Sequence, residues 1–298
     1  MLTEMLQAKI RSREALNSQD IVAMLTPKEP MYSDWLVDLA RSVAPPKQIV
    51  SWHPIYINNE CSNECLYCGH RRYSSTPRMH LSSNRILPIL DQLQAEGIHC
   101  VQLNFAFDHS VLKVTADICA KARDRGMTIG ACTEGLSDTE ISVLHTLGIE
   151  RYFISLETFD ETAYRHMHVA GRKADFHFQE MSPKRAVSAG MDVSIGVLLG
   201  LSDYHREIAS LIGCSVEHSG PGPIGMFFNL LRPTDGAVIQ DPPFAISPAE
   251  LRKIVATLRL CHPRVRLMIS TRDQQQSGLW GLADELLLSF RGRWGIGP

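Results

Sequence analysis

Three of the chain's eight cysteines lie close together, in the segment Cys61-Ser-Asn-Glu-Cys65-Leu-Tyr-Cys68, and the other five are scattered. In a chain of this composition, chance would produce such a triplet with a probability of roughly 0.006. Three thiolates at this spacing can bind three irons of a [4Fe-4S] cluster and leave the fourth iron open to another ligand. A structural zinc ion needs four ligands, and His70 would supply the fourth only in a cramped Cys-x-His arrangement. The triplet therefore favours an iron–sulfur cluster bound by Cys61, Cys65 and Cys68.

The rest of the composition indicates an ordinary globular protein of the cytoplasm. The 298 residues include 30 Lys and Arg against 32 Asp and Glu, so no broad basic surface is expected to bind nucleic acid. No apolar stretch is long enough to span a membrane, and the charged N-terminal residues do not resemble a secretory signal. Cys100, Cys119 and Cys132 lie in apolar or small-residue surroundings, and we predict that they are small buried hydrophobic residues.

The sequence pattern around the triplet changes near residue 48, from helices alone to alternating strands and helices. Residues 1–47 have helical patterns, and we predict a helical extension there. From residue 48 onwards, seven apolar strand-like runs each precede a helical pattern, the last helix being expected over 278–288 and an eighth strand in the last ten residues. Glycines just before the next strand are typical of repeating strand–helix units, and they stand at Gly97, Gly126, Gly148 and Gly190.

This alternation predicts an α/β fold, a (β/α) TIM-type barrel over residues 48–298 that an eighth strand would complete. The cysteine triplet directly follows the first predicted strand, 49–57. Barrel enzymes place their active sites at the carboxyl ends of the strands, so the triplet lies where catalysis is expected.

The triplet resembles that of the radical S-adenosylmethionine (SAM) enzymes, in which an aromatic residue, Cys and Gly follow one another as Tyr67, Cys68 and Gly69 do here. In that family the open iron of the cluster binds SAM, and one electron cleaves SAM to methionine and a 5′-deoxyadenosyl radical that abstracts a hydrogen atom. The resemblance implies that Tyr67, Gly69 and His70 approach SAM. His70 is a departure, since relatives usually carry Phe there.

Further blocks resemble the aromatic amino-acid lyases, a subgroup that contains the tyrosine lyases of thiamine synthesis and hydrogenase maturation and the tryptophan lyase of nosiheptide synthesis. They occur in the same order as in that subgroup and lie at 16–27, 54–61, 156–165, 173–176, 196–201, 231–233 and 270–273. The resemblance implies cleavage of the Cα–Cβ bond of a free aromatic L-amino acid. We favour tyrosine, which would yield p-cresol and dehydroglycine, and dehydroglycine hydrolyses to glyoxylate.

The alternatives are a tryptophan lyase that forms 3-methylindole-2-carboxylate, a lyase for another amino acid, and a barrel that binds SAM and the cluster without turnover. The absence of a second cysteine cluster argues against the hydrogenase-maturation activity. The expected partners are a small amino-acid substrate and an electron donor of the flavodoxin or ferredoxin type, with no nucleic acid and no membrane.

The resemblance also implies roles for single residues. Tyr56 would place its phenol near the reacting amine, Arg272 would bind the substrate carboxylate through its planar guanidinium, and Arg232 would assist. Asp108 and Glu157, two carboxylates at strand ends, would contact SAM. Two positions depart from the subgroup: Phe107 replaces a small residue before the carboxylate, and Leu230 replaces the first Arg of an Arg-x-Arg-Pro motif.

Five charged or titratable side chains outside these motifs have ordinary interpretations. We predict that His166 and His168 are solvated at a helix end, where positions two apart face different directions. Arg71, Arg72 and Arg78 follow the triplet, and we interpret them as belonging to a solvated loop and not as a docking patch for an anionic electron donor.

Overall fold

The computed structural model describes residues 2–29, 31–46, 48–219, 224–261, 265–279 and 281–288. Within these ranges the strands are β1 (Val50–Tyr56), β2 (Glu64–Cys65), β3 (Cys100–Asn104), β4 (Thr128–Cys132), β5 (Arg151–Glu157), β6 (His168–Ala170), β7 (Asp192–Leu199), β8 (Gly225–Leu230), β9 (Leu267–Ser270) and β10 (Glu285–Leu287). All except β2 and β6 pair in parallel and close into an eight-stranded barrel. Strands β2 and β6 pair antiparallel outside it. The predicted TIM-type barrel is confirmed, complete with its eighth strand.

Helices follow the barrel strands and cover the outside of the sheet. They are α1 (Glu4–Ser12), α2 (Ser18–Leu25), α3 (Tyr32–Val43), α4 (Ser83–Ala95), α5 (Ser110–Asp124), α6 (Asp138–Leu147), α7 (Glu161–Met167), α8 (Phe176–Glu180), α9 (Ser182–Ser188), α10 (Tyr204–Glu217), α11 (Pro248–Cys261) and α12 (Thr271–Ser277). The four glycines predicted to end helices all have a positive φ, a conformation that glycine adopts without strain. No helix in the described ranges has the length and apolar character needed to cross a bilayer.

Three helices precede the first strand and pack against the barrel's outer layer. Asn17 and Asp20 form a capping box at the start of α2, so the local sequence defines where that helix begins. Helices α2 and α3 contact α10 and α11. The Lys253 ammonium donates hydrogen bonds to the carbonyls of Leu25 and Pro27, at 2.8 and 3.0 Å, and thereby ties the end of α2 to α11.

Side chains fill the barrel below its carboxyl end. Trp52, Phe153, Phe227 and Met268 form an apolar cluster inside the sheet. Beneath them, Arg151 forms ion pairs with Glu285 at 2.6 Å and with Asp192 at 2.7 Å, and its guanidinium lies 4.8 Å from the Trp52 ring centre. Because Arg151 and Glu285 begin their strands, this network closes the amino end, and space for a ligand remains at the opposite end.

The chain after β9 differs from the prediction. The helix expected over 278–288 is wrong, because α12 follows β9 directly and β10 occupies part of that range. The Ser270 hydroxyl accepts a hydrogen bond from the Asp273 N–H at 3.1 Å and donates one to its carboxylate at 2.6 Å. This cap starts the helix at the strand end. The eighth strand precedes the last ten residues, and residues 289–298, where we expected it, lie outside the described ranges.

Candidate active site

A cavity of about 210 Å³, which we call the site cavity, opens at the carboxyl ends of β1, β3, β4 and β5. The cysteine triplet lines it, as the position of the triplet after β1 predicts. The other lining residues come from the strand ends and from the loops that follow them: Tyr56, Asn58, Asn59, Asn63, Tyr67, His70, Asn104, Phe105, Ala106, Cys132, Thr133, Glu134, Ser155, Glu157 and Lys173.

Hydrogen-bond donors point at two of the three sulfurs. The backbone and side-chain N–H groups of Asn63 lie 3.4 and 3.3 Å from the Cys61 Sγ, and the His70 N–H lies 3.3 Å from the Cys68 Sγ. Such donors stabilise thiolates. Burial nevertheless raises the pKa of all three thiols, that of Cys65 to about 12, so metal binding would have to displace their protons.

The arrangement of these sulfurs suits a cluster of several irons. Each thiolate of such a cluster binds a different iron, so the cysteines need to surround a space and not to converge on one ion. In the part of the chain that the structure describes, no three His, Cys, Asp or Glu side chains converge to hold a single metal ion. Three cysteines around one cavity, with N–H donors on two sulfurs, therefore fit an iron–sulfur cluster.

The triplet lies in the loop between β1 and α4, which we call the cluster loop. Two arginines hold this loop in place. Arg71 forms an ion pair with the buried Glu64 at 2.6 Å and donates to the Gly236 carbonyl at 2.9 Å. The Arg78 guanidinium donates hydrogen bonds to four backbone carbonyls of this loop at distances from 2.7 to 3.0 Å, those of Asn59, His70, Arg71 and Arg72. The prediction of solvated arginines is wrong for Arg71, and Arg78, although exposed, is fully engaged with the backbone.

The loop after β8 packs against the cluster loop at Gly69. A Cβ atom added at Gly69 would lie 2.4 Å from the Asp235 carbonyl oxygen and 2.9 Å from the Thr234 methyl carbon. The N–H groups of Val238 and Ile239 both donate to the Leu66 carbonyl, at 2.7 and 3.0 Å. Gly69 therefore permits close contact between two backbones, a reason for glycine that the sequence alone did not reveal.

A buried ion pair forms one wall of the site cavity. Glu157 ends β5, and its carboxylate pairs with the Lys173 ammonium and accepts a hydrogen bond from the Ser155 hydroxyl at 2.9 Å. Burial would raise the pKa of Glu157, but the charge of Lys173 outweighs it and holds that pKa below its usual range. Burial likewise opposes the charge of Lys173, and Glu157 raises the pKa of Lys173 well above its usual value. Both groups are charged at neutral pH.

Lys173 is also connected to the cluster loop. Its backbone N–H donates to the Asn63 Oδ1 at 2.9 Å, while the Nδ2 of the same Asn63 side chain donates to the Cys61 sulfur. One amide thus links the Lys173 segment to a cysteine. Lys173 was not predicted as a site residue, although it lies in the block 173–176 that resembles the lyases.

Tyr67 and His168 lie on one side of the cavity as a neutral pair. The His168 Nδ1 bonds the Tyr164 carbonyl at 2.8 Å, so Nδ1 carries the proton and Nε2 accepts a hydrogen bond from the Tyr67 hydroxyl at 2.9 Å. Burial, aided by the charge of Lys173, lowers the pKa of His168 to about 4. The prediction that His168 is solvated is wrong because β6 pairs with β2 and buries it, whereas His166 is exposed as expected.

Tyr56 and His70 face each other in the site cavity. Their ring centres are 6.1 Å apart in an edge-to-face arrangement. Burial raises the pKa of Tyr56 to about 12, and burial together with the charge of Arg78 lowers the pKa of His70. Tyr56 is therefore a protonated phenol that can donate a hydrogen bond, and His70 is a neutral imidazole.

Asp108 does not line the site cavity. Its carboxylate accepts a hydrogen bond from the Ser110 N–H at 2.6 Å, at the start of α5. Glu134, in the loop after β4, lines the cavity instead, and its carboxylate accepts hydrogen bonds from the Phe107 N–H at 3.3 Å and the Thr133 hydroxyl at 2.9 Å. A Thr-Glu-Gly sequence just after a predicted strand was the signal for Glu134. Phe107 packs near Phe105, and its side chain is not part of the cavity wall.

The two predicted arginines lie away from the lining of the site cavity. Arg232 forms an ion pair with Asp273 at 2.5 Å and, with Leu230, lines a separate cavity of about 250 Å³ beside α11. Arg272 is exposed in the first turn of α12. Lys173 is the only lysine or arginine among the described residues that line the site cavity. Roles for Arg232 and Arg272 in binding substrate stay predictions.

Neighbouring strands add two residues to the site cavity that were not predicted there. Asn104 pairs in register with Tyr56 of β1 and with Cys132 of β4, so these three residues lie at one level across adjacent strands. Burial raises the pKa of the Cys132 thiol to about 12. The prediction that Cys132 is a hydrophobic core residue is therefore incomplete, because its side chain also lines the site cavity.

Comparisons with known proteins agree with this geometry. The family model described as the Radical SAM superfamily matches residues 55–212, and that of the Biotin and Thiamin Synthesis associated domain matches residues 228–283. The chain is 27% identical to 2-iminoacetate synthase of Escherichia coli (strain K12) over 279 residues, which cover 87% of this chain and 71% of that protein. It is 23% identical to biotin synthase of Prochlorococcus marinus (strain MIT 9303) over 224 residues, or 72% of this chain and 65% of that protein.

Solved structures share the whole barrel. The FeFe-hydrogenase maturase HydG from Carboxydothermus hydrogenoformans superposes with a TM-score of 0.87 at 23% identity, covering 99% of this chain and 72% of HydG. A second HydG structure gives a TM-score of 0.85 at 22% identity, and this chain spans 66% of its length. Methylornithine synthase (PylB) gives 0.83 at 18% identity, over 98% of this chain and 88% of that one. With its family match extending over half of its length and its three cysteines at the carboxyl end of the first barrel strand, the chain belongs to the radical SAM superfamily.

Proposed function

We propose that the protein is a radical SAM carbon–carbon lyase that fragments a free aromatic L-amino acid, with tyrosine as the favoured substrate. The products from tyrosine would be p-cresol and dehydroglycine, which is 2-iminoacetate. The observation that carries the proposal is the similarity to 2-iminoacetate synthase, which extends over 87% of this chain and is not limited to the cysteine motif.

In this proposal, Cys61, Cys65 and Cys68 hold a [4Fe-4S] cluster at the mouth of the barrel. When bound, the cluster and SAM supply the 5′-deoxyadenosyl radical that takes a hydrogen atom from the substrate amine. The protein orients the reactants and excludes water, since the radical chemistry comes from the bound groups. The buried Cys65, the partly buried Cys61 and Cys68, and the filled barrel interior are consistent with that role.

The charged groups of the cavity fit the polar ends of SAM. Lys173 offers the cation for a carboxylate, and Glu134 offers free acceptor capacity for an ammonium group. Glu157 would accept hydrogen bonds from ribose hydroxyls while Lys173 balances its charge. Glu134 thus takes the place that we predicted for Asp108, whose carboxylate accepts a hydrogen bond from the Ser110 N–H at the start of α5. Tyr67, Gly69 and His70 would border the adenine.

Tyr56 is the residue best placed to contact the amino group of the substrate. Tyr56 lines the cavity together with Cys68 and Cys132, and burial keeps its phenol protonated. A protonated phenol orients an amine by donating a hydrogen bond to the nitrogen lone pair. Carboxylate binding by Arg272, with assistance from Arg232, rests on the sequence resemblance.

We further propose that a small cytoplasmic electron donor of the flavodoxin or ferredoxin type reduces the cluster. Because the net charge of the chain is −2, we expect such a donor to bind through a local contact and not through a broad basic surface. Just after the triplet, Arg72 is exposed, and its guanidinium lies over the Tyr73 ring.

The test is anaerobic reconstitution with iron and sulfide, followed by SAM, dithionite and one amino acid at a time. We expect brown protein that absorbs near 400 nm and forms 5′-deoxyadenosine, p-cresol and glyoxylate when tyrosine is present. Cys65→Ala removes a cluster ligand and should abolish all three products, whereas Cys119→Ala, a buried cysteine of α5, should retain them.

Two other outcomes distinguish the alternatives. Formation of 3-methylindole-2-carboxylate from tryptophan would identify a tryptophan lyase. Colourless protein, or brown protein with a full iron content that forms no 5′-deoxyadenosine with any amino acid, would overturn the proposed activity.

A further inference from the structure

The backbone at Glu157 has a conformation that side-chain-bearing residues rarely adopt. Its φ is +66°, and among the described residues the one other non-glycine with a positive φ is Arg13, at the end of α1. The pairing of β5 with β7 shifts register between Ser155 and Glu157, so a bulge lies at the same point. Strained residues of this kind persist only where the surroundings impose the conformation, and they cluster at functional sites.

A carboxylate from the next strand–helix unit holds the turn that follows Glu157. Glu207 of α10 is 3% exposed. Its carboxylate accepts hydrogen bonds from the Thr158 hydroxyl, the Phe159 N–H at 2.9 Å and the Asp160 N–H at 3.3 Å. The Ser202 hydroxyl donates to the same carboxylate. Three successive residues after Glu157 are therefore bonded to one side chain.

We propose that Glu207 is a positioning residue for SAM, and that it acts through Glu157. By fixing residues 158–160, Glu207 imposes the left-handed conformation of Glu157. That conformation directs the Glu157 carboxylate across the cavity wall to Lys173. The inference rests on the proposed function, because it takes the Glu157–Lys173 pair to be part of the SAM site. Glu207 itself is not among the residues that line the site cavity.

The chemistry of the contacts explains why a carboxylate is required. All the donors that reach Glu207 here are neutral hydroxyl and N–H groups, and a carboxylate has acceptor sites for all of them. A glutamine would present an NH₂ group to part of this set, so at least one donor would lose its acceptor. The turn would then relax, and Glu157 would be free to leave the left-handed region.

The test uses SAM binding to the reconstituted protein in the absence of amino acid, measured by equilibrium dialysis and by the change that SAM causes in the electron paramagnetic resonance spectrum of the reduced cluster. Glu207→Gln should raise the Kd for SAM about ten-fold and leave the iron content unchanged. A ten-fold effect is typical for residues that are coupled through one hydrogen-bond network. Glu217→Gln, an exposed carboxylate on the same helix, should leave the Kd unchanged. In turnover, the KM for SAM should rise and the KM for the amino acid should stay constant.

A double-mutant cycle separates positioning from general stability. If Glu207 acts through Glu157, Glu207→Gln should change the Kd for SAM less than about two-fold in a Glu157→Gln background. An equal loss in both backgrounds, or an unchanged Kd in Glu207→Gln, would overturn the proposal. Thr158→Val removes one donor from the network and should have a smaller effect in the same direction, so a misfolded Glu207 variant would not prevent the test. Failure of the wild-type protein to bind SAM would instead count against the proposed function.

Discussion

Replacing Lys173 by Met tests the buried ion pair of the site cavity. The side chains of Lys173 and Glu157 are 14% and 9% exposed, so the pair is largely removed from water. Removing one partner of such a pair costs about 3–5 kcal/mol, because the remaining charge has no partner. Glu157 can escape part of this cost by taking up a proton, and we therefore expect about 3 kcal/mol. At about 2 °C per kcal/mol for a large domain, the Tm should fall by about 6 °C.

The stability that Lys173→Met loses should depend on pH. In the wild-type protein the pKa of Glu157 is lower in the folded state than in the unfolded state. Its contribution to folding stability is therefore present above the unfolded-state pKa of about 4.3 and is lost as pH falls through the folded-state pKa. The folded pKa of Lys173 is raised, so its contribution is present below about 10.4 and is lost as pH rises through the folded pKa. The pair therefore stabilises the protein throughout the range from about pH 5 to 9.

In Lys173→Met the largest influence that lowers the pKa of Glu157 is lost, so burial raises that pKa against the hydrogen bond from Ser155. The variant then binds a proton on folding, so its deficit in Tm should be smaller at pH 5 than at pH 8. Thermal unfolding of cluster-free protein in reducing buffer would measure this, with Lys184→Met on the surface of α9 as the control. The double variant Lys173→Met/Glu157→Gln should recover part of the loss at pH 8. A loss no larger than that of Lys184→Met, or one that is the same at both pH values, would refute the reasoning.

Four further substitutions test the organisation of the site. Gly69→Ala should destabilise the protein by about 1–3 kcal/mol and release iron, because the new methyl group meets the Asp235 carbonyl; wild-type unfolding and iron retention would show that the contact is tolerated. Arg78→Ala should leave the four carbonyls of the cluster loop without their donor and reduce the iron bound after reconstitution, which iron analysis would measure. Asp108→Ala should cost about 1 kcal/mol through loss of the hydrogen bond from the Ser110 N–H and leave the KM for SAM unchanged, whereas Glu134→Ala should raise that KM; the opposite pattern would restore Asp108 to the site.

The fold could be predicted from the sequence because its signals are local. Apolar strand runs and helical patterns repeat seven times, four of them with a glycine before the next strand, and each repeat is short enough to recognise on its own. The prediction failed after β9, where Ser270 caps α12 at the strand end and the helix begins several residues earlier than its apolar pattern suggested. Membership in the radical SAM superfamily was predicted from closely spaced cysteines, which are also a local signal, and the family match confirms it.

The walls of the site were harder to predict, because tertiary contacts decide which strand-end residues face the cavity. Asp108 and Glu134 each follow a strand, but the Asp108 carboxylate bonds the Ser110 N–H at the start of α5, whereas Glu134 lines the cavity. His168 looked solvated because β6 is only three residues long and its pairing with β2 leaves no periodic signal. Lys173 lies in a short 3-10 segment, and only the structure shows that it meets Glu157 and Asn63.

The cluster loop is anchored on both sides by segments that are remote in sequence. On one side, β2 pairs with β6, which follows β5 and precedes Lys173. On the other side, the loop after β8 bonds to Leu66 and to Arg71 and packs on Gly69. That same loop includes Arg232, the residue to which the resemblance assigns a role in substrate binding. The loop after β8 therefore joins the residue to which the resemblance assigns substrate binding and the backbone that carries Cys65 and Cys68.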